Sequence, residues 1–573
     1  MNTSKTQGFA PQSEWKTVNW RKLERTVFKL QNRIYRASQR GNVRVVRKLQ
    51  KTLMKSWSAK MIAVRKVTQQ NKGKKTAGID GLKALKDKQR LDLVASLKIY
   101  KKPQPTRRVW IPKPKRDEKR PLGIPTIYDR ALQALVKQAI EPEWEARFEP
   151  NSYGFRQGRS CHDAIEAIYI SINKKPKWVL DADIAKCFDK INHDALLRKL
   201  NTYPSMRRLI KGWLKAGVID EGTFSPTNEG TPQGGIISPL LANIALHGME
   251  ERIKEYADSL PAQIFGKGRK QRRSALNLIR YADDFVIMHH NQEVVEECLR
   301  IINKWLKDMG LELKPSKTKI THTLDGFDFL GFNIRQYRVG KYKSKQGFKT
   351  LIKPSNGSIK EHYERLANII ERHRAAPQEA LIKHIQPIIR GWCNYNRSVV
   401  SKEIFSKLDS MLWNKLQRWG YRRHPKKSKT WVNKKYWGTK AEKPKKPWDA
   451  PKIDNWVFMT EDKYLKKHAK TEIVRHVKVK EARSPFDGDL IYWNTRMQKH
   501  PEMSNQKGKL LKRQKGKCAH CGLLFRDGDS LETHHIIPRT QGGNDQLKNL
   551  ELLHLHCHDE KHRIKDNLDE NPF

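Results

Sequence analysis

Three things are scarce in this 573-residue chain: acidic side chains, cysteine and long apolar runs. No stretch of eighteen apolar residues occurs, so no helix is expected to span a bilayer. The first residues, MNTSKTQGFAPQSEW, lack the apolar segment of a secretory leader, so export is not expected. Seven cysteines are scattered thinly, and three of them (Cys518, Cys521, Cys557) fall in the last tenth of the chain. That distribution excludes a disulfide framework and suits a reducing compartment with one local metal site. No internal repeat is visible. The acids number 60 against 116 lysines and arginines, a formal charge of +56. Such an excess repels itself unless a polyanion is the partner. Nucleic-acid binding of a ribosomal or chromatin-like kind is the plain reading, and a basic membrane-surface protein is its competitor. The length allows several domains, each with a core of its own.

Residues 18–66 read as basic helices, with Leu23, Val27, Leu30 and Ile34 at helical spacing. Residues 67–81 read as a Gly- and Lys-rich loop. Residues 107–340 mix short strands (Val179–Leu180, Phe285–Met288) with helices (Arg130–Ala139, His162–Ile172, Leu240–Met249), an α+β block. Residues 358–424 are largely helical, with Leu366, Ile369, Ile370, Ile385, Ile388 and Ile389 on apolar stripes. Residues 425–456 mix Lys, Pro and Trp and read as an irregular basic segment. Its Trp431 and Trp437 either stack on bases or staple a loop to the helical domain. Residues 501–516 read as a linker, and 517–573 as a compact Cys/His-rich tail.

Two stretches set acids among apolar residues. LIRYADDFVIM (278–288) carries Asp283 and Asp284 side by side; WVLDADIAKCFDKINHDALL (178–197) alternates Asp181 and Asp183 in a strand, with a helix starting near Phe188. An isolated pair of aspartates is usually a turn or a solvated face. Buried without a partner, a carboxylate is costly. Three acids meeting where two strands adjoin are tolerable when divalent cations neutralise them. Mg²⁺ suits, since it takes oxygen ligands and keeps waters and substrate phosphates. Two such ions about 4 Å apart can activate a 3′-hydroxyl and stabilise leaving pyrophosphate. The tail holds a second set. Cys518 and Cys521 form C-x₂-C, and His554 and Cys557 form H-x₂-C, four ligands for a closed tetrahedral Zn²⁺ site, with His556 and His520 as rivals to His554. A tail this short needs such a staple. Alone it would mark a zinc ribbon that binds DNA, but HHI (534–536), Asn549, His558 and His562 lie in the same segment.

YADD, preceded by DADIAKCFD and by GTPQGGIISPLLANIAL (230–246), resembles the palm of a reverse transcriptase. Beside these stand RRVWIPKPKRDEKRPLGIPTIYDRALQ (107–133), NSYGFRQGRSCHDAI (151–165), LELKPSKTKI (311–320) and FDFLGFNI (327–334). Their order resembles that of group II intron-encoded reverse transcriptases of the bacterial, chloroplast-like branch, over roughly residues 15–570. RGWCNYNR (390–397) and RWGYRRHPKKSKTWVNKKYW (418–437) resemble the maturase domain X, and the tail spacing resembles an HNH, or ββα-metal, nuclease.

The resemblance implies an α+β multidomain protein. N-terminal basic helices and a fingers extension would fill 1–106, right-hand polymerase fingers and palm 107–350, and a helical thumb, domain X, 351–424. A basic DNA-binding segment would fill 425–510 and a zinc-stapled HNH tail 511–573. It implies that Asp183, Asp283 and Asp284 hold two Mg²⁺ ions, Asp183 rather than Asp181 because it opens D-x-x-x-x-F. Phe188 would be the steric gate against a 2′-hydroxyl, with ordinary core packing as the other reading. Lys113 and Arg120 would clamp the triphosphate, with Arg116 as the alternative to Arg120. Gln233 and Gly234 of PQGG would let backbone approach template and nucleotide, unless this is a plain turn. Lys317 would brace the palm or primer strand, or lie solvated. In the tail, His535 would be the general base. His534, His558 and His562 would hold one divalent ion, and Asn549 would orient the loop carrying His535. Related tails carry cysteine where His554 stands, so this zinc set would be three Cys and one His.

The implied function is threefold: RNA-directed DNA polymerase, intron-RNA-binding maturase that assists splicing, and DNA endonuclease that nicks a target strand to prime reverse transcription during retrohoming. Partners would be the intron RNA in a ribonucleoprotein, double-stranded target DNA and dNTPs, with no membrane. The setting would be the bacterial cytoplasm or nucleoid, or an organelle. One alternative is a maturase-only splicing factor with inactive catalytic domains. Another, an independent retroelement or retron polymerase, is disfavoured by domain X and the HNH tail.

Overall fold

The computed structural model describes residues 15–112, 118–262, 268–441, 453–526 and 529–570. Three helices come first: α1 (Trp20–Gln39), α2 (Val43–Lys55) and α3 (Trp57–Arg65). Each begins on a side chain that accepts a backbone N–H three residues on: Asn19 from Lys22, Asn42 from Val45, Ser56 from Ala59. Leu23, Val27 and Ile34 of α1 are buried as their spacing predicts, and Leu30 is partly so. The expected loop at 67–81 is partly helical, with a π turn over Lys66–Gln70 and a 3₁₀ turn over Lys72–Lys75.

After α4 (Asp87–Ser96), a hairpin of β1 (Thr106–Pro112) and β2 (Lys119–Ile124) leads to α5 (Ile127–Glu145) and α6 (Cys161–Ile172). Then follow β3 (Trp178–Asp183), α7 (Cys187–Lys190), α8 (His193–Leu200), α9 (Pro204–Leu214) and the short pair β4 (Val218–Asp220) and β5 (Thr223–Ser225). The predicted helix Leu240–Met249 is two helices, α10 (Ser238–Leu246) and α11 (Met249–Ser259), because Gly248 between them has φ 100°. Next come α12 (Arg269–Ala275), β6 (Asn277–Tyr281), β7 (Asp284–His289), α13 (Gln292–Lys307) and β8 (Lys319–His322). Two four-stranded sheets result: β2-β1-β4-β5, and β6-β7-β3-β8, with β3 antiparallel to both its neighbours. A third sheet joins β9 (Phe327–Phe329), β10 (Phe332–Arg338) and β11 (Phe348–Pro354).

Helices α14 (Asn356–Arg372), α15 (Gln378–Asn396) and α16 (Lys402–Arg423) follow, burying Leu366, Ile370, Ile385 and Ile389, with Ile369 and Ile388 partly covered. Residues 425–456 are not wholly irregular, as the sequence suggested. They contain α17 (Lys429–Tyr436) and β12 (Trp437–Ala441), which pairs with β13 (Ile453–Phe458). Val432, Tyr436, Trp437, Phe458 and Leu465 share the core of the three helices. Trp437 is therefore a staple and not a free stacking surface, whereas Trp431 stays 37 % exposed. The expected linker at 501–516 is likewise structured. After α18 (Leu490–Gln498), helix α19 (Asn505–Arg513) buries Leu510 and Leu511 in the core of the tail. Their burial was masked in the sequence by surrounding lysines. The tail ends in β14 (Leu531–His535), β15 (Leu550–His554) and α20 (Leu555–Glu570), a ββα unit. Among the described residues no helix is long and apolar enough to cross a membrane.

Candidate active sites

The two acidic stretches meet at one sheet edge. Antiparallel pairing of β3 with β7 sets Asp183 opposite Asp284, and Ile184 N donates to Asp283 O at 3.3 Å. Asp283 lies in the tight turn between β6 and β7. That turn needs Ala282 in the left-handed region, at φ 58°, a conformation that persists only where surroundings enforce it. The enforcing group is Arg280. Its guanidinium, in a residue only 1 % exposed, donates to Ala282 O (3.0 Å), Asn243 Oδ1 (3.1 Å) and Ser152 Oγ (2.8 Å). Gly154 lies behind the same turn, where a Cβ would come 2.3 Å from Ala282 N.

Electrostatics mark this edge. Burial, then the charges of Asp183 and Asp283, push the Asp284 carboxyl up to about 7. Burial also raises Asp283, and raises Asp181 to about 6. Lys317 Nζ sits 2.7 Å from Asp183 Oδ2, so the cation the acids require is partly supplied by the chain itself. Burial lowers the Lys317 ammonium, but its Asp183 bond and the carboxylates raise it overall. Among the described residues only two groups of three or more side chains hold metal-capable atoms all within 4.8 Å of one another, and both lie in the tail. The aspartates are set wider. As a donor set, Asp183, Asp283 and Asp284 are three partly buried carboxylates, the last two raised above their ordinary range by burial, and they fit hard divalent cations, which would relieve the repulsion between them.

Arg120, on β2, is near enough for its charge to lower Asp283 against burial. Lys113 and the alternative Arg116 lie outside the described residues. Phe188, on α7, meets Phe155 edge-on at 6.0 Å and packs partly against the main core, so the packing reading holds whatever else the ring does. Gln233 Nε2 donates to the Asp189 carboxylate at 3.0 and 3.1 Å, and Gly123 N donates to Gln233 O at 2.6 Å. Gly234 is obligatory: its φ is 119°, and a Cβ would stand 2.7 Å from Gly123 O. PQGG is thus more than a turn, since it stitches β2 to α7. A cavity of about 250 Å³ lies there, lined by Phe188, Asp189, Gln233, Gly123 and Arg108.

In the tail, Cys518, Cys521, His554 and Cys557 form one group and His534, His558 and His562 the other. Of the three rival histidines, His554 joins the cysteines, with Nδ1 3.4 Å from Cys521 Sγ. His556 turns to Glu24 and His520 to Glu560. Hydrogen bonds from Cys521 and Cys557 pull the Cys518 thiol far down while Cys557 is pushed up: thiols crowded so closely share protons. This set fits a divalent ion that takes thiolates. Asp529 Oδ2, 3.4 Å from His554 Nε2, is the outer partner such a ligand needs. In the second group His558 and His562 face each other at 3.3 Å, and burial, then Lys561, drives His534 down to about 4, leaving it neutral and free to ligate.

Asn549 clamps the neighbouring loop. Its Oδ1 accepts from Ile537 N at 2.8 Å, and its Nδ2 donates to Ile537 O and Asn544 O at 3.0 and 2.9 Å. His535 Nε2 lies 2.7 Å from Asp545 Oδ1, and Arg539 holds the same carboxylate. Sequence reasoning missed Arg280, Asp189, Asp529 and Asp545. Only Asp545 had a readable signal, its place between GGN and Asn549 in the HNH-like segment.

Known proteins match this division. Residues 111–334 match the family described as reverse transcriptase (RNA-dependent DNA polymerase), 15–97 the N-terminal domain of reverse transcriptase, 359–437 the group II intron maturase-specific domain, and 518–563 HNH endonuclease. Protein YkfC of Escherichia coli is 33% identical over 338 residues, covering 52% of this chain and 85% of that protein. The group II intron-encoded protein LtrA of Lactococcus lactis is 32% identical over 351 residues, covering 50% of this chain and 57% of its own length. Maturase-like protein 1 of Euglena gracilis is 26% identical over 388 residues, covering 66% and 76%. With reverse transcriptase, maturase and HNH endonuclease domains following one another along a single polypeptide, the chain belongs to the group II intron-encoded proteins.

Proposed function

We propose that the protein copies its intron RNA into DNA at a target site that its own tail has opened, and assists splicing of that RNA by binding it. The observation that carries this reading is the register of β3 on β7, which brings Asp183 to Asp284 with Asp283 in the adjoining turn. These three would hold two Mg²⁺ ions, which when bound supply activation of a 3′-hydroxyl and stabilisation of leaving pyrophosphate. Arg120, whose charge reaches Asp283, would receive the triphosphate together with Lys113. Phe188 closes the space beneath the sugar, Gln233 and Gly234 hold the backbone close to the base pair, and Lys317 braces Asp183.

In the tail, His534, His558 and His562 would hold one divalent ion against the scissile phosphate, while Cys518, Cys521, His554 and Cys557 hold Zn²⁺ as a staple. His535 gives its Nε2 to Asp545, which leaves Nδ1 to take a proton from water. Asn549 keeps that loop in place. The N-terminal helices and the thumb, 351–424, offer the basic surface for folded RNA, recognised largely through shape and phosphate. The segment 425–510 takes the target DNA.

The test is extension of oligo(dT) on poly(rA) with Mg²⁺ and dTTP, beside Asp283→Ala and Asp284→Ala. The wild type extends, the variants do not, and splicing of the intron RNA persists in all three. No extension by a folded wild type leaves the maturase-only reading, whereas wild-type extension by the variants overturns the assignment of Asp283 and Asp284.

A further inference from the structure

The path from thumb to nuclease is pinned at every turn. Ser484 is fully buried, and Asn32 Nδ2 of α1 donates to Phe486 O at 2.7 Å. Trp493 of α18 is buried in the palm-side core with Tyr153, Ile165 and Phe329, and a Cβ at Gly158 would strike its ring at 2.3 Å. Asp163, a fully buried carboxylate on α6, accepts from His476 Nε2, Val479 N and Arg496 Nη2, so one palm residue gathers three points of the connecting segment. Thumb residue Arg397 donates to Asn505 Oδ1 (3.1 Å) and Met503 O (3.2 Å) at the start of α19. The metal-binding end of the tail then rests on α1: the Arg526 guanidinium lies 4.2 Å over the Phe28 ring, and His556 Nε2 is 3.9 Å from Glu24 Oε1. Glu24 is itself bound to Arg65, which stacks over Trp20. A cavity of about 280 Å³ lined by Glu24, Phe28, Arg65, Phe525, Arg526 and His556 lies at this junction.

A nuclease on a slack tether would need none of these contacts. The His534, His558 and His562 group is not part of the seat, and those side chains are partly or largely exposed. We infer that the tail is a docked body whose seat on α1, Arg526 and His556 against Phe28 and Glu24, sets the distance between the DNA cut and the polymerase edge. This rests on the functional reading above, in which the cut end is the primer. Its physical content is effective concentration: an end released at a fixed distance reaches the palm as an intramolecular partner, and one released at scattered positions does not.

The experiment uses full-length protein assembled with its intron RNA on a labelled target duplex, comparing wild type with Arg526→Glu on the tail and Phe28→Glu on α1. Cut positions are read on a sequencing gel, and cDNA primed from the cut is quantified. Both variants are expected to cut at several neighbouring positions and to yield about tenfold less primed cDNA. Extension of oligo(dT) on poly(rA) and bound zinc should stay at wild-type levels. Phe28 lies outside the nuclease, so its variant stays decisive if Arg526→Glu loses zinc. Wild-type cut positions and priming in Phe28→Glu overturn the inference alone. A wild type that cuts no DNA overturns the functional reading, and the inference with it.

Discussion

Replacing Arg280 by Met should disable the polymerase without unfolding the protein. The guanidinium makes three bonds to uncharged acceptors, each worth about 1.5 kcal/mol or more when charge-assisted. Met fills similar volume but leaves Asn243 Oδ1, Ser152 Oγ and Ala282 O unpaired. Against this, a fully buried cation no longer has to be desolvated, a cost visible in the lowering of the Arg280 guanidinium by burial. The net loss should be about 2–4 kcal/mol of local stability, falling on the turn that holds Ala282 at φ 58°. Released from that conformation, Asp283 shifts, and a displacement of about 1 Å at a reacting centre costs about a hundredfold in rate. Oligo(dT) extension on poly(rA) reads the rate, and filter binding of the intron RNA reads the rest of the fold. Arg280→Met should lose about two orders of magnitude in the first and keep the second. Extension at the wild-type rate would refute the claim that Arg280 positions the acids.

Other perturbations separate the parts. Gly154→Ala drives a methyl into the backbone of Ala282 and should abolish primer extension while RNA binding survives. Cys557→Ser, or a chelator selective for zinc over magnesium, should remove the zinc proposed for this quartet and the nuclease together and leave primer extension intact, as zinc content beside both activities will show. Asp545→Asn, which keeps shape but loses the charge beside His535, should slow DNA cutting about tenfold or more with no change in zinc content. Glu149 gives a pH test. Burial would raise its carboxyl, but the bond and charge of His247, the charge of Arg280 and the Gly248 N–H hold it down at about 2. A depressed acid stabilises the fold above its ordinary range, and that contribution is lost as pH falls through about 2. Glu149→Gln should therefore cost about 3 kcal/mol at pH 7 and progressively less on acidification, measured by urea melts across pH.

The acids could be read in the sequence because apolar neighbours forced the question: Leu180, Ala182 and Ile184 around Asp183, and Phe285 to Met288 after Asp284, leave no solvent for a carboxylate except at a site. The zinc quartet could be read because two ligand pairs keep short, fixed spacings. Arg280 could not. In LIRYADD it reads as a charge at a strand end, and only the chain 151–154, brought alongside β6, shows that it turns inward. Helix α19 hid for the reverse reason: Leu510 and Leu511 are two apolar residues among lysines, and their partners, Phe525, Leu550 and Leu552, come later in the chain. The hairpin β12–β13 depends on Phe458 and Leu465 joining a core begun at Leu366, a separation no local pattern spans. Asp529 acquires meaning only through His554, which the fold sets beside it.

Asp183 leans on an ammonium that belongs to its own chain. Because Lys317 is tethered there, the anionic edge carries a counter-ion of its own, and a divalent cation held at Asp183 would have to share that carboxylate with a resident charge.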